Sequence, residues 1–163
     1  MLINISSIMV KLEKIFDVVY GVNLELINCI EVNPDIGIPF VSRTSKNNGV
    51  VAFVEPMEDF TPNPGNTISV AGSGSVLSCF YQEKPYYSGR DLFYLVPKIE
   101  LSENEMLFYC MAIKMNKYKY SYGRQANRTL RELLIPGVNE IPTEFLIINF
   151  NKPVCAKAAN KQV

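Results

Sequence analysis

The sequence of 163 residues contains no histidine. This absence excludes every catalytic site built on an imidazole: a Ser-His-Asp triad, a Cys-His pair, an H-E-x-x-H zinc site and a histidine-based nuclease. A carboxylate nuclease motif is missing too, because no Glu or Asp stands two residues before a lysine. We therefore expect a protein that binds its target and is not itself an enzyme.

Long apolar runs and paired cysteines are also missing. No hydrophobic run approaches the roughly 18 residues that a membrane-spanning helix needs. The first ten residues carry neither the basic leader nor the cleavage site of a signal peptide. The four cysteines are widely spaced, with no C-x-x-C pair. We expect reduced, buried thiols in a cytoplasmic protein that holds no metal or cofactor.

Length and composition indicate one globular domain. Hydrophobic residues make up 48% of the chain and charged residues 20%, which is typical of a folded soluble domain. A chain of this size can bury a single substantial core. We place the domain at residues 1–145 and interpret the polar, proline-broken residues 146–163 as a C-terminal tail.

Positive charge is concentrated in residues 114–131, which carry six Lys and Arg side chains and no acid. The rest of the chain holds 10 basic and 16 acidic residues, although the formal net charge is zero. Lys and Arg neutralise phosphates, and interspersed tyrosines and amides can contact sugars and base edges. Because a ligand meets the local field, this segment is a candidate nucleic-acid surface. The alternative is a solvated basic face at the end of a helix.

Strand signals dominate the first two thirds of the chain, and a helix follows them. A short helical turn running into a strand is predicted at 10–20. Further β-branched and aromatic runs, bounded by turn residues, predict strands at 38–43, 50–54, 67–71, 76–81 and 91–97. We expect an α/β (α+β) fold, with a strand-rich, mostly antiparallel half packed against one main helix.

The helix is predicted at residues 102–118. Ser102 and Glu105 form a capping-box pattern at its start. Its predicted core face consists of Met106, Leu107, Cys110 and Ile113. Residues 130–135 are predicted to re-enter the core and to end at Pro136.

Three polar loops, at 42–49, 72–75 and 87–91, adjoin predicted strands and are rich in hydrogen-bond donors. The Asn-Asn-Gly of the first loop also fits a hairpin turn, because these residues tolerate positive φ. Arg90 in the third could pair with Asp91. The Gly-Ser loop resembles the start of a nucleotide-binding motif, but a predicted strand follows it where such a motif needs a helix. We interpret it as a hairpin turn.

Four ordered blocks resemble the target-recognition domain of restriction–modification specificity subunits, as found in type I systems and their relatives. They are V-S-R-T-S-K-N-N-G-V (41–50), T-I-S-V-A-G-S-G-S-V (67–76), Y-S-G-R-D-L-F-Y-L (87–95) and Y-G-R-Q-A-N-R-T-L-R-E-L-L-I-P (122–136). The resemblance implies an α/β globule that reads half of a split double-stranded DNA target through the major groove. It implies as partners a DNA adenine methyltransferase subunit and a restriction subunit. The long helix that follows the domain in the family is not visible here.

We predict that the polar loops and the basic stretch contact DNA through Arg43, Lys46, Asn47, Asn48, Ser73, Arg90, Lys117, Tyr118, Lys119, Tyr120, Tyr122, Arg124, Gln125, Asn127 and Arg128. Lys117, Lys119, Arg124 and Arg128 are assigned mainly to phosphates, and Tyr118 and Tyr120 to packing against sugars. Candidates for base edges are Arg43, Asn47, Asn48, Gln125 and Asn127. Two alternatives remain: a protein-interaction module that docks a methyltransferase without touching DNA, and a small enzyme that uses the Gly-Ser turn for a phosphorylated ligand.

The arginines of the basic stretch should differ in their effects. Arg124 follows a glycine and can adapt to a phosphate, so Arg124→Ala should weaken binding to all sequences equally and lower the salt slope by roughly one unit. Arg128 lies just before the return into the core. Its removal should cost about 1–3 kcal/mol on the cognate site and little on random DNA. Affinities for cognate and random duplexes over a salt series test this. Unchanged affinities for both variants in low salt would contradict it.

Overall fold

The computed structural model describes residues 8–120 and 124–147. Within these ranges the chain forms strands, two α-helices and several single-turn 3-10 helices. The elements are β1 (Met9–Lys11), β2 (Phe16–Tyr20), β3 (Ile38–Val41), β4 (Val50–Val54), β5 (Thr67–Ala71), β6 (Cys79–Gln82), β7 (Tyr87–Ser88), β8 (Leu92–Pro97), α1 (Glu103–Lys114), β9 (Leu134–Pro136) and α2 (Thr143–Ile147).

The central sheet has four antiparallel strands in the order β2-β8-β5-β6. All five residues of β5 are buried, so both faces of this strand are covered. Ile68 and Val70 face the main core that α1 closes, whereas Ala71 packs with Val41 and Tyr86 on the opposite side. This alternation follows from the period of two along a strand.

A second sheet of three strands, in the order β4-β3-β7, covers that opposite side. β3 and β4 are antiparallel, as predicted for the runs at 38–43 and 50–54, while β3 and β7 are parallel. A third pairing, between β1 and β9, ties the start of the described chain to the segment that returns after the basic stretch. The prediction of a mostly antiparallel, strand-rich half is confirmed.

Two predicted strands are shorter than expected. The strand predicted at 76–81 begins only at Cys79, because the chain makes a tight turn at Leu77, whose φ is 58° and whose N–H donates to the carbonyl of Ala71 (2.9 Å). The strand predicted at 38–43 ends at Val41, where the pairing with β4 is already irregular. Both errors arose because hydrophobic runs do not show where a turn begins.

Helix α1 starts with the predicted capping box. The Ser102 hydroxyl accepts from the N–H of Glu105 (3.3 Å), and the Glu105 carboxylate accepts from the N–H of Ser102 (2.6 Å). The α-helix ends at Lys114, and a 3-10 helix (Met115–Lys119) completes the predicted segment.

The buried face of α1 differs in one position from the prediction. Met106, Cys110 and Ile113 are buried as expected, but Leu107 is only partly buried. Tyr109 takes its place in the core. It packs edge-on against Phe16 with ring centroids 5.2 Å apart, and burial raises its pKa to about 12. The helical period alone could not show whether Leu107 or Tyr109 would fill this space in the core.

The chain returns to the core at residues 130–135, as predicted, with Leu130, Leu133 and Ile135 buried. Helix α2 spans the expected boundary between residues 145 and 146, and Phe145 packs edge-on against Phe108 of α1. The remainder of the predicted tail, residues 148–163, lies outside the described residues.

Neither a membrane span nor a metal cluster is found in the described part of the chain. None of its helices is long and apolar enough to cross a bilayer. None of its His, Cys, Asp or Glu side chains gather in a group of three or more that could hold a metal ion. Cys29, Cys79 and Cys110 are free thiols, and Cys155 lies outside the described residues.

The native thiols should react in a defined order. Cys79 and Cys110 are buried between β6 and α1, and the Cys79 thiol donates to the Cys110 carbonyl (3.0 Å). The hydrogen bond with the Cys79 side chain, followed by burial, raises the pKa of Cys110 well above its ordinary value. Because thiolates are the reactive form, iodoacetamide should modify the partly exposed Cys29 well before Cys79 and Cys110, which it should spare until denaturant is added. Peptide mass spectrometry measures this, and rapid modification of native Cys110 would contradict the assigned core.

Candidate nucleic-acid interface

A cleft of about 410 Å³ opens where the polar loops meet the basic stretch. Among the described residues, three cationic side chains line it and no acid does. They come from three separate segments: the loop after β3, the 3-10 helix after α1 and the chain that precedes Leu130. The lining residues are Arg43, Ser73, Gly74, Val76, Lys117, Tyr120, Arg124 and Gln125. Six of these eight are among the predicted site residues.

Arg43 follows β3 and is held by its neighbours. Its Nη1 donates to the Ser73 hydroxyl and lies 3.6 Å from the Asp91 carboxylate. Its carbonyl accepts from the N–H of Ser75 (3.3 Å), which joins the first polar loop to the Gly-Ser loop. The Arg43 side chain remains 30% exposed, so it is fixed and yet accessible from the cleft.

The side-chain amides of the two asparagines in the first loop donate hydrogen bonds within the protein. Asn47, Asn48 and Gly49 all have positive φ (51°, 54° and 78°), as expected for the hairpin-turn interpretation. The amide of Asn47 donates to the Val50 carbonyl (2.9 Å), and that of Asn48 donates to Gln82 Oε1 (3.3 Å). These contacts hold the loop against β6. Lys46 is exposed beside them.

The lysines at the end of α1 divide into two groups. Lys114 lies over the ring of Phe80, 4.4 Å from its centroid, so it stabilises the packing of α1 on β6. Lys117 lines the cleft, and Lys119 lies 5.7 Å from the ring centroid of the exposed Tyr118. The ring contact gives Lys114 a structural role, whereas Lys117 and Lys119 are exposed at the end of the helical segment.

The second half of the basic stretch reaches the cleft through Arg124 and Gln125, both exposed. The Tyr120 hydroxyl lies 2.8 Å from Thr129 Oγ1 and so connects the two sides of this segment. A second pocket of about 280 Å³ continues past Tyr120 and is lined by Lys119, Tyr120, Arg124, Gln125 and Thr129. Tyr122 lies outside the described residues.

Three other arginines do not line the cleft. Arg128 lies in an exposed turn, and Arg90 is exposed on the third polar loop. The suggested pairing of Arg90 with Asp91 is replaced by the contact between Asp91 and Arg43. Arg131 has a structural role, because its Nη2 donates to the Val18 carbonyl (2.8 Å) on β2.

Asn127 points inward, towards the end of β5. Its Nδ2 donates weakly to Asp91 (3.4 Å), and its buried Oδ1 has no hydrogen-bond partner among the described residues. A Cβ placed on Gly72 would lie 2.1 Å from that oxygen and 2.8 Å from the Phe93 ring. The N–H of Ala126 also donates to the Gly72 carbonyl (2.8 Å). The missing side chain at Gly72 thus lets the basic stretch approach the sheet closely.

Sequence reasoning missed Gly74, Val76 and Asp91. Val76 was assigned to a strand, and the turn that places this buried residue in the wall of the cleft depends on Leu77 adopting positive φ. Asp91 was treated only as a partner for its neighbour, although its carboxylate contacts Arg43, 48 positions earlier in the chain. Its own positive φ (56°) is a property of the folded chain that no sequence pattern indicated.

Gly72→Ala should displace the basic stretch. The added methyl group must expel Asn127 from its site, and the loop that carries Arg124 should then lose its anchor. We expect amide exchange at residues 124–130 to increase while α1 stays protected, as measured by hydrogen exchange. Gly89→Ala is the matched control, since its Cβ would meet nothing closer than 3.6 Å. Equal exchange in both variants would contradict the proposed anchor.

Residues 8–136 match the model of the family described as type I restriction modification DNA specificity domain. The type II restriction enzyme specificity subunit S.BcgI from Heyndrickxia coagulans is 29% identical over 131 residues, which cover 77% of this chain and 36% of that protein.

Solved structures show the same fold. The S subunit of a type I restriction-modification system from M. genitalium has a TM-score of 0.58 at 21% identity, covering 81% of this chain and 34% of that one. The HsdS subunit from Thermoanaerobacter tengcongensis has a TM-score of 0.56 at 16% identity, covering 83% and 34%.

The chain spans about a third of the length of these relatives. The family match covers all four blocks that carry the resemblance in the sequence and ends at the same proline as the last of them, Pro136. Together with the mixed α/β architecture, it establishes that this chain belongs to the type I restriction modification DNA specificity domain family.

Proposed function

We propose that this chain is a DNA target-recognition domain, which binds double-stranded DNA sequence-specifically through the cleft and performs no catalysis itself. One observation carries the proposal: Arg43, Lys117 and Arg124 converge on one cleft that no acid lines. Arg43 lies 74 residues before Lys117 in the sequence, so a charged tail or a helix end cannot explain their convergence.

The chemistry of the cleft suits a nucleic acid better than a small anion. Its positive charges are spread over separate segments and continue along Lys119 into the neighbouring pocket. An extended backbone of phosphates can meet such a series of charges one after another. Gln125 and Arg43 add side chains that can pair with base edges, and Tyr120 adds a ring that can pack on a sugar.

The remaining parts of the system are proposed from the family. The S.BcgI and type I relatives are named as specificity subunits. We propose that this domain acts within such a subunit in the cytoplasm and directs a DNA adenine methyltransferase subunit and a restriction subunit to their site. The domain itself corresponds to residues 1–145 in this proposal.

The competing function is a protein-interaction module whose basic surface docks an acidic methyltransferase. The family match favours DNA recognition. The charge distribution agrees with it, because the centres of protein interfaces are depleted of charged residues, whereas three cations line this cleft.

DNA affinity measured against salt tests the proposal. We expect the chain to bind a labelled random 30-base-pair duplex, with a slope of log K against log salt near −3 if Lys117, Lys119 and Arg124 each neutralise one phosphate. The double variant Lys117→Ala/Arg124→Ala should reduce the magnitude of the slope by about two units. Fluorescence anisotropy measured at roughly 50 to 300 mM salt, a range over which the screening of charges changes, gives both slopes.

The control is Lys14→Ala/Lys98→Ala, which removes the same charge from exposed positions that do not line the cleft. Its slope should stay close to that of the unmodified protein. If the protein has no affinity for DNA at 50 mM salt, the protein-interaction module becomes the better description. If both double variants lose affinity alike, net charge is responsible and the cleft is not the DNA site.

A further inference from the structure

Asp91 lies where four segments of the candidate interface meet. Its carboxylate accepts from the Ser73 hydroxyl (2.7 Å) on the Gly-Ser loop. It lies 3.6 Å from Arg43 Nη1 and 3.4 Å from Asn127 Nδ2. With only 19% of its side chain exposed, Asp91 sits behind the residues that line the cleft.

The backbone of Asp91 is held as firmly as its side chain. Its N–H donates to the Tyr20 hydroxyl (2.9 Å), and its carbonyl accepts from the N–H of Gly72 (2.8 Å). Its φ of 56° places it in the left-handed region, which Asp and Asn tolerate better than most residues. The Asp91 carboxylate is therefore held in a fixed position at the end of the sheet.

Pairing with a carboxylate is a poor arrangement for an arginine that only neutralises phosphates. The negative charge of Asp91 opposes the field that attracts the DNA backbone at Arg43. The same contact, together with Ser73, fixes the Arg43 guanidinium before any ligand arrives. Fixing a long side chain in advance lowers the entropy lost on binding. Arg43 thus loses part of its attraction for the DNA backbone and gains a fixed orientation.

Arginine can pair in two-point fashion with the N7 and O6 atoms of guanine in the major groove, a contact that depends on orientation. Arg43 keeps donors beyond the one used by Ser73, and its exposed fraction faces the cleft. Lys117 and Arg124, in contrast, have no ion pair among the described residues.

From these contacts we infer that Asp91 is a positioning residue, which holds Arg43 to read a guanine and thereby sets the sequence preference of the domain. Asp91 also reduces the affinity for DNA that lacks the target, since its charge opposes binding that rests on phosphates alone. This inference rests on the proposed function and adds that Arg43 reads a base while Lys117 and Arg124 contact phosphates.

The experiment uses the full chain and a pool of duplexes with a randomised central stretch. Selection with the unmodified protein first defines its preferred site. Affinities for that site and for random DNA are then compared for Asp91→Asn, Arg43→Lys and the control Asp17→Asn. Asn keeps the shape of Asp91 and tolerates its φ, while Asp17 is an exposed acid that pairs with Lys98 (3.5 Å).

We expect Asp91→Asn to lower the ratio of preferred-site to random affinity by roughly ten-fold or more, the scale of one lost two-point base contact. Its affinity for random DNA should stay equal or rise, because a negative charge has been removed. Arg43→Lys keeps the charge but loses the planar fork, so it should lower the same ratio and leave the salt slope unchanged. Asp17→Asn should change neither quantity.

A purely structural role gives a different result. If Asp91→Asn lowers both affinities in parallel, or alters neither, the positioning role is overturned while the DNA-binding function stands. If the unmodified protein shows no salt-dependent DNA binding, the proposed function and this inference are both overturned. Should Asp91→Asn fail to fold in a thermal melt, Ser73→Ala supplies the second variant. It removes the bridge to Arg43 and must lower the ratio for the inference to hold.

Discussion

The burial of β5 on both faces is the constraint on which the rest of this structure depends. One face of the strand packs against the core that α1 closes, and the other packs against the second sheet. The end of such a strand cannot move freely, so Gly72, which follows it directly, becomes a fixed point. The basic stretch is attached there through the N–H of Ala126, which donates to the Gly72 carbonyl, and the Asn127 side chain packs against Gly72, so that the cleft forms beside this attachment.

The cleft shows how a protein of zero formal net charge can present a strongly positive surface. Some cations outside the basic stretch are neutralised locally, such as Lys11 by Glu132 and Lys98 by Asp17. The cations at the cleft face a lining free of acids. In the proposed function, a DNA backbone responds to that local field, and the acidic remainder limits binding elsewhere on the molecule. Asp91 is the exception, since it stands just behind the cleft in contact with Arg43.

Several features could be predicted because they depend on neighbouring residues. The capping box of α1 needs only Ser102 and Glu105, and the strands at 50–54 and 67–71 follow from β-branched residues between turn residues. The hairpin turn at Asn47–Gly49 follows from residues that tolerate positive φ. The start of β6 and the choice of Tyr109 over Leu107 could not be predicted in this way. Each depends on whether a side chain finds space against a distant element, here the turn at Leu77 and the ring of Phe16.

The sequence by itself determined the concentration of positive charge in residues 114–131 and the polar loops that accompany it, since both are properties of composition. Only the tertiary structure decided which of those side chains share a site. Lys114 packs over the ring of Phe80, and Arg131 donates to the Val18 carbonyl. Arg43, which is distant in the sequence, lines the same cleft as Lys117 and Arg124. The reason is physical: a side chain can act on a ligand only with the donors that packing leaves unused, and packing joins residues that are distant in sequence.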